Sequence, residues 1–246
     1  MYINEERLIA IAPVTGKVLD AYLDNGFYRY GQLLFTTNYI DYSNNWHDVF
    51  WIRTHIPSVT LSNSAQKILK QNKPFRYTIT SLIITPEMEE LFSLYRNHVS
   101  FDHADSIHAN LFGQSTNNFF NSYVIKVYDG DLLIAFGCFD SGEKSIAGII
   151  NAYHPNYKKC SLGKYLILLK LNYCKAHNIT YYYTGYIAIG LNHFDYKIFP
   201  DESAVEVFLT DTLTWDNYNK YGKEGLAPLG ELARFFSELN NIDNPL

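Results

Sequence analysis

The sequence predicts an α+β fold built on a strand meander followed by one long helix and a further strand. Ser122–Tyr128, Asp131–Phe139 and Ser145–Tyr153 are rich in β-branched and aromatic residues, and Asp129-Gly130 and Ser141-Gly142 separate them. Such dipeptides between apolar runs signal hairpins, because glycine adopts the positive φ that tight turns require. The apolar run LLIAFGCF is expected to be the central strand of this meander. The stretch from Tyr153 to Pro200 then reads as a basic loop, a Ser-Leu-Gly turn, a helix, an aromatic strand and a polar segment.

Upstream, Lys17 to Gly26 places Val18, Tyr22 and Leu23 at helical spacing, with Gly26 as a C-cap. Phe27–Ile40 and Val49–Ile56 read as strands, with the polar run DYSNNWHD as a turn between them. Ser62 or Ser64 caps a short helix that ends near Gln71 and carries Lys67 and Lys70, and Phe75–Thr80 is a short strand. Thr85-Pro86-Glu87 opens another helix, with Thr as N-cap and Pro in its first turn, and Met88, Leu91, Phe92 and Tyr95 share its apolar face. Residues 101–121 read as a polar, histidine-bearing loop and as the best candidate for a domain boundary.

On the long helix, from about Gly163 to His177, Leu162, Tyr165, Leu166, Leu169 and Tyr173 fall on one side. Lys164, Asn172 and Lys175 fall opposite, Asn178 is a C-cap candidate, and Thr180–Ile187 is the strand that follows. A last helix is expected from Leu229 to Leu239.

The 246 residues suffice for one large domain or two small ones, and 47% hydrophobic against 18% charged content is that of a globular protein. The net charge of −5 argues against broad DNA binding, which needs many phosphate contacts. Cys138, Cys160 and Cys174 show no CxxC spacing, so neither a zinc site nor a disulfide framework is expected. No run reaches 18 apolar residues and the N-terminus carries no apolar leader. The reading is a cytoplasmic chain without metal, membrane or DNA partner. Aromatic content of 16% supplies either packing or stacking surfaces.

The chemistry concentrates at the start of the long helix. Free main-chain N–H groups at Ser161, Leu162, Gly163 and Lys164 form an anion-binding end, and Lys158, Lys159 and Lys164 add charge. An acyl donor carrying phosphates fits there, either a coenzyme A thioester or the 3′ end of a charged tRNA. The blander alternative is a cap and a close helix–sheet contact. His103 and His108, beside Asp102 and Asp105, are proton-transfer candidates in what is otherwise a solvated loop. Asp195-Tyr196-Lys197 sets a carboxylate, a phenol and an ammonium side by side.

Residues 161–200 also resemble the C-terminal region of arginyl-tRNA–protein transferases and their bacterial leucyl-transferring relatives. The shared features are Ser161-Leu162-Gly163, then Tyr182, Gly185 and Tyr186, then Tyr196, Lys197 and Pro200. Fainter echoes extend upstream through Gly26-Phe27-Tyr28-Arg29, Arg53-Thr54, Ser62–Asn72, Leu94-Tyr95 and His103. The chain departs from the pattern by having no cysteine between Arg29 and Arg53, His193-Phe194 in place of Lys-Met, and no arginine before Pro200.

The resemblance implies a GNAT-like mixed sheet flanked by helices in the C-terminal half, residues 101–246, with a smaller α+β part over residues 1–100. It implies transfer of an amino acid, arginine or leucine, from aminoacyl-tRNA to the N-terminal amine of an acceptor protein, without a cofactor. On it, Tyr186, Tyr196 and Lys197 form the catalytic group, Asp195 orients the acceptor amine and His103 assists proton transfer. The Ser161–Lys164 turn with Lys158 and Lys159 holds the tRNA acceptor end, and Lys67 and Lys70 extend the phosphate track. The alternatives are a GNAT-like transferase that uses acyl-coenzyme A and a non-catalytic relative that binds tRNA or protein.

Overall fold

The computed structural model describes residues 7–10, 12–99 and 104–242. In chain order the elements are β1 (Arg7–Ala10), α1 (Lys17–Asp24), β2 (Tyr28–Tyr30), β3 (Leu33–Thr36), β4 (Tyr39–Tyr42) and β5 (Asn45–His55). Then come α2 (Asn63–Asn72), β6 (Arg76–Ser81), α3 (Pro86–Arg96), α4 (Ile107–Phe112), β7 (Ser122–Asp129), β8 (Leu132–Ser141) and β9 (Ser145–Tyr153). The chain continues through α5 (Leu162–Ala176), β10 (Tyr181–Ala188), β11 (Val205–Leu209), β12 (Thr214–Asn217) and α6 (Gly222–Ile242).

The expected meander forms, and β8 lies between β7 and β9, buried along almost its whole length. The main sheet runs in the order β12-β11-β5-β10-β9-β8-β7-β6, with β4 paired to β5 off that path. β10 joins β9 in parallel, and α5 makes the crossover between them. A parallel neighbour requires such a crossover, since a tight turn cannot return the chain in the same direction. β5 and β6, from the first 100 residues, pair with β10 and β7, so one sheet runs across that sequence position. A separate three-stranded sheet has the order β1-β3-β2.

The sheet is covered on both faces. Ile125 and Val127 of β7 pack with α2 and α5, while Val124 packs with Met88, Leu91, Phe92 and Tyr95 of α3 and with α4. The Ser62 hydroxyl caps α2 by accepting from the Ala65 N–H. A third cluster joins α1, the small sheet, Trp51 and Tyr183.

Several local expectations change. The stretch read as one strand over 27–40 is broken into β2, β3 and the first part of β4, with Gly31 at φ +59° between the first two. The polar run DYSNNWHD is mostly strand, because only Ser43 and Asn44 turn, both at positive φ, as in a two-residue hairpin. The 101–121 segment contains α4, capped by the Ser106 hydroxyl at 2.9 Å from the Ala109 N–H. α6 starts well before Leu229. Lys164, Asn172 and Lys175 of α5 are exposed as expected, but Ile167, Leu168, Lys170 and Leu171 are buried too. The helix is wedged between the sheet and α2, so its apolar face is wider than one stripe.

Candidate functional site

The parallel pairing of β9 and β10 covers only Ser145–Ala147 against Tyr181–Tyr183, and the ladder ends there. Both strands are irregular at this point. The β8–β9 register shifts so that Ile149 is the extra residue, and the β10–β5 register shifts at Thr184. A bulge bends its strand and locally disrupts the ladder. The Tyr28 hydroxyl lies within hydrogen-bonding distance of the Gly148 carbonyl (2.6 Å) on one strand and the Tyr183 carbonyl (2.9 Å) on the other. Burial pushes this phenol's pKa well up, so it stays neutral and bridges the two strands where they part.

A cavity of about 930 Å³ opens here, lined by residues of both strands, the α5 start and the 192–198 turn. It brings together Lys158, Ser161, Leu162, Gly163, Lys164, Tyr186, Tyr196 and Lys197 from the sequence reading. The Ser161 N–H, expected to be free, bonds the Lys158 carbonyl at 3.3 Å. Ser161 has left-handed φ/ψ (53°, 43°) and no side-chain cap bond, so the N–H groups of Leu162, Gly163 and Lys164 are the free ones at the cavity edge. Lys158 and Lys164 are exposed, and Lys164 Nζ lies 5.0 Å from the ring centre of Phe199.

Lys197 is partly buried. Its Nζ donates to the Tyr186 carbonyl at 3.0 Å and lies 4.6 and 4.7 Å from the ring centres of Tyr186 and Phe194. Burial pulls its pKa from 10.5 to about 7. The two ring faces favour the charged form and oppose that pull, so the amine is held where both protonation states are within reach. Gly185 makes room for it. Its φ is +107°, and a Cβ there would stand 3.2 Å from Lys197 Nζ. Tyr196 is 40% accessible at the cavity, yet its phenol lies deep enough that burial, with Tyr153 and Tyr186 nearby, pushes its pKa up to about 12. The phenol is a proton-bearing donor at neutral pH.

Other expected residues lie elsewhere. The Asp195 carboxylate forms an ion pair with Lys223 at the start of α6, and Asp195 does not line the cavity. Lys159, Lys67 and Lys70 are exposed and also lie off the lining, Lys67 and Lys70 being carried by α2. His103 lies outside the described residues. His108 stacks on Phe112 at 5.0 Å.

On the far wall, sequence reasoning missed Trp51, Asn151 and Thr184, and it named Arg29 and Tyr182 as matches to the family pattern without giving them a role. Arg29 reaches the cavity from β2 and is tied to Asp140 (2.8 Å), with both side chains 1% accessible. The Thr184 hydroxyl is buried at the β10 bulge without a partner among the described residues. No Asp or Glu is among the described lining residues. Among the described residues no group of acidic, histidine and cysteine side chains could hold a metal, and no helix is long and apolar enough to cross a membrane.

Meander, crossover helix and parallel strand together give a GNAT-like mixed sheet with a cavity where its parallel strands part. Residues 87–202 match the family model for the C terminus of arginine-tRNA-protein transferase. The aspartate/glutamate leucyltransferase of Leptospira interrogans (serovar copenhageni) is 25% identical over 219 residues, covering 85% of this chain and 82% of that protein. The Vibrio vulnificus (strain YJ016) protein of the same name is 23% identical over 181 residues, covering 72% and 74%. A solved structure of L-PGS from Bacillus licheniformis aligns with 89% of this chain and 62% of its own, at TM-score 0.40 and 12% identity. The chain is thus similar, over residues 87–202, to the C terminus of arginine-tRNA-protein transferases and, over most of its length, to bacterial aspartate/glutamate leucyltransferases.

Proposed function

We propose that the protein transfers leucine, or a similarly apolar amino acid, from charged tRNA to the N-terminal amine of proteins that begin with Asp or Glu. The observation that carries this is the charge of the cavity wall: Lys158, Lys164, Lys197 and the paired Arg29 are present, and no carboxylate is among the described lining residues. An arginyl guanidinium seeks a carboxylate and finds none among the described lining residues. An apolar side chain suits Trp51, Ile149 and Ile150, and an acidic acceptor residue suits the lysines. The names of the Leptospira and Vibrio relatives agree with this choice.

In the reaction, Lys158 and the Ser161–Lys164 turn hold the tRNA acceptor end at the free N–H groups of α5. The acceptor's α-ammonium, with an ordinary pKa of about 8, must lose a proton before it can attack. Lys197, poised at about 7, accepts it. The amine nitrogen bonds to the ester carbonyl carbon, the bond to the ribose oxygen breaks, and that oxygen leaves with a proton. Tyr196, still protonated, donates within the site. Charged tRNA places this activity in the cytoplasm.

The test is transfer from Leu-tRNA and Arg-tRNA, assayed separately, to peptides beginning with Asp, Glu or Ala. Leucine on the acidic peptides is expected. Preferential transfer of arginine, or equal modification of the Ala peptide, would overturn the assignment.

A further inference from the structure

Lys170 lies on α5 with no accessible surface and no acidic partner among the described residues. Its Nζ donates to Asn151 Oδ1 at 2.8 Å. Burial lowers its pKa to about 8. The thiols of Cys138 and Cys174 act on it, and burial pushes both their pKa values up, so they bring no negative charge, and the Tyr182 ring centre lies 6.0 Å from Nζ. A buried cation without an anion is unfavourable, and a leucine or methionine would fill this place at lower cost. Two glycines nevertheless keep space for it. A Cβ on Gly137 would stand 2.7 Å from Asn151 Oδ1 and 3.3 Å from Lys170 Nζ. A Cβ on Gly148 would stand 2.9 Å from the Tyr182 hydroxyl and 3.4 Å from Lys170 Nζ.

The consequence falls on Asn151, which lines the cavity. An ammonium can only donate, so the amide atom facing Lys170 is the oxygen. The Nδ2 group is therefore turned the other way, and its two N–H donors have no partner among the described residues. A cation on the amide oxygen also polarises the N–H bonds and strengthens them as donors. The Tyr182 hydroxyl lines the same cavity, and it too has no hydrogen-bond partner among the described residues.

We propose that Asn151 is a catalytic hydrogen-bond donor to the acyl carbonyl oxygen of the aminoacyl ester, with the Tyr182 hydroxyl beside it and Lys170 as the positioning residue behind. As the acceptor nitrogen bonds to the carbonyl carbon, the carbonyl π pair moves onto its oxygen, where Asn151 Nδ2–H and Tyr182 O–H stabilise it. The pair returns to re-form the carbonyl, the ribose 3′ oxygen leaves with the C–O electrons, and it takes up the proton that the amine released. This assignment rests on the aminoacyl-transfer reading above.

The test compares Asn151→Ala, Asn151→Asp, Lys170→Met and Lys170→Gln for kcat, KM and thermal midpoint, with Leu-tRNA and an Asp-initiated peptide. Asn151→Ala and Asn151→Asp both lack the donor and are expected to lower kcat by roughly 100- to 1,000-fold, with KM for tRNA within about threefold. Lys170→Met is expected to melt no lower than wild type, yet to lose about 10- to 100-fold in kcat as the amide loses its fixed orientation. Lys170→Gln restores a donor to Asn151 Oδ1 and recovers most of that loss. A merely structural role for Lys170 would tie kcat to the melting temperature instead. Near-wild-type kcat in Asn151→Ala, or in a folded Lys170→Met, would overturn the assignment. Should Lys170→Met not fold, the Asn151 variants decide it. A wild-type protein that transfers nothing overturns the proposed function, and this assignment with it.

Discussion

The Lys197 ammonium donates to the main-chain carbonyl of Tyr186 at 3.0 Å, and so ties the 192–198 turn to the strand that forms one wall of the cavity. Eleven residues separate the two in sequence, and Gly185 next to Tyr186 is the position that makes their approach possible. The amine is thereby fixed over the Tyr186 ring with no carboxylate among the described residues to hold it charged, since Asp195 is engaged by Lys223.

That placement predicts a pH profile. With saturating acceptor, kcat is expected to rise with pH and level off with an apparent pKa near 7, the value to which burial brings Lys197. Lys197→Met should lose this limb and lower the plateau roughly 100-fold or more. Stability carries the same signature. Below pH 7 the folded and unfolded chains both hold the proton, and the folded chain bears the whole desolvation penalty. Between about 7 and 10.5 the folded chain has released its proton while the unfolded chain keeps it, so this contribution to stability rises with pH. The thermal advantage of Lys197→Met should therefore be greatest below pH 7 and shrink above it. A kcat profile shared by wild type and variant would remove Lys197 from proton transfer.

A second expectation concerns tRNA. Lys158 and Lys164 flank the free N–H groups of α5 at the cavity, whereas Lys67 and Lys70 lie on α2 away from the lining. Reversing both near charges, Lys158→Glu with Lys164→Glu, should raise KM for charged tRNA by about 10-fold or more. It should also flatten the salt dependence by about 0.7 log units per lost phosphate contact. Lys67→Glu with Lys70→Glu should change KM by less than about threefold. Measuring KM from low to moderate salt separates the two pairs, and equal effects would mean that the phosphate track runs along α2 as well.

The helix start and the Tyr-x-x-Gly-Tyr strand were legible because their chemistry is local: free N–H groups, a glycine and lysines within a few residues of sequence. The opposite wall was not legible, because long-range pairing creates it. Nothing within β5 announces that it will insert between β10 and β11. Thr184 and Ile149 are unremarkable letters until two ladders slip by one residue beside them. Lys170 sits in a run of leucines where a helical wheel offers it an edge position. Its amine is nevertheless turned to the sheet, beside Gly137, Gly148 and Asn151, and has no accessible surface. Asp195 failed in the opposite sense, as its neighbours in sequence line the cavity while its own carboxylate turns to α6.

The last prediction concerns Arg29 and Asp140, which lie 111 positions apart and form an ion pair with both side chains 1% accessible. Arg29 Nη1 also bonds the Ser122 hydroxyl at 3.0 Å, Nη2 bonds the Leu111 carbonyl at 2.6 Å, and Nε bonds the Gly31 carbonyl at 2.7 Å. One guanidinium thus joins the small sheet, α4 and the meander behind the cavity. Removing one partner of such a pair strands the other charge in the interior, which costs about 3–5 kcal/mol. Asp140→Ala should therefore lower the thermal midpoint sharply, and so should Arg29→Met. The double variant Arg29→Met with Asp140→Leu leaves no stranded charge and should recover a large part of the stability. It should not recover transfer, because the carbonyls of Leu111 and Gly31 lose their shared donor and the wall that Arg29 anchors shifts. A double variant as unstable as the worse single would show that the hydrogen bonds to these carbonyls, rather than the charge pairing, hold the wall in place.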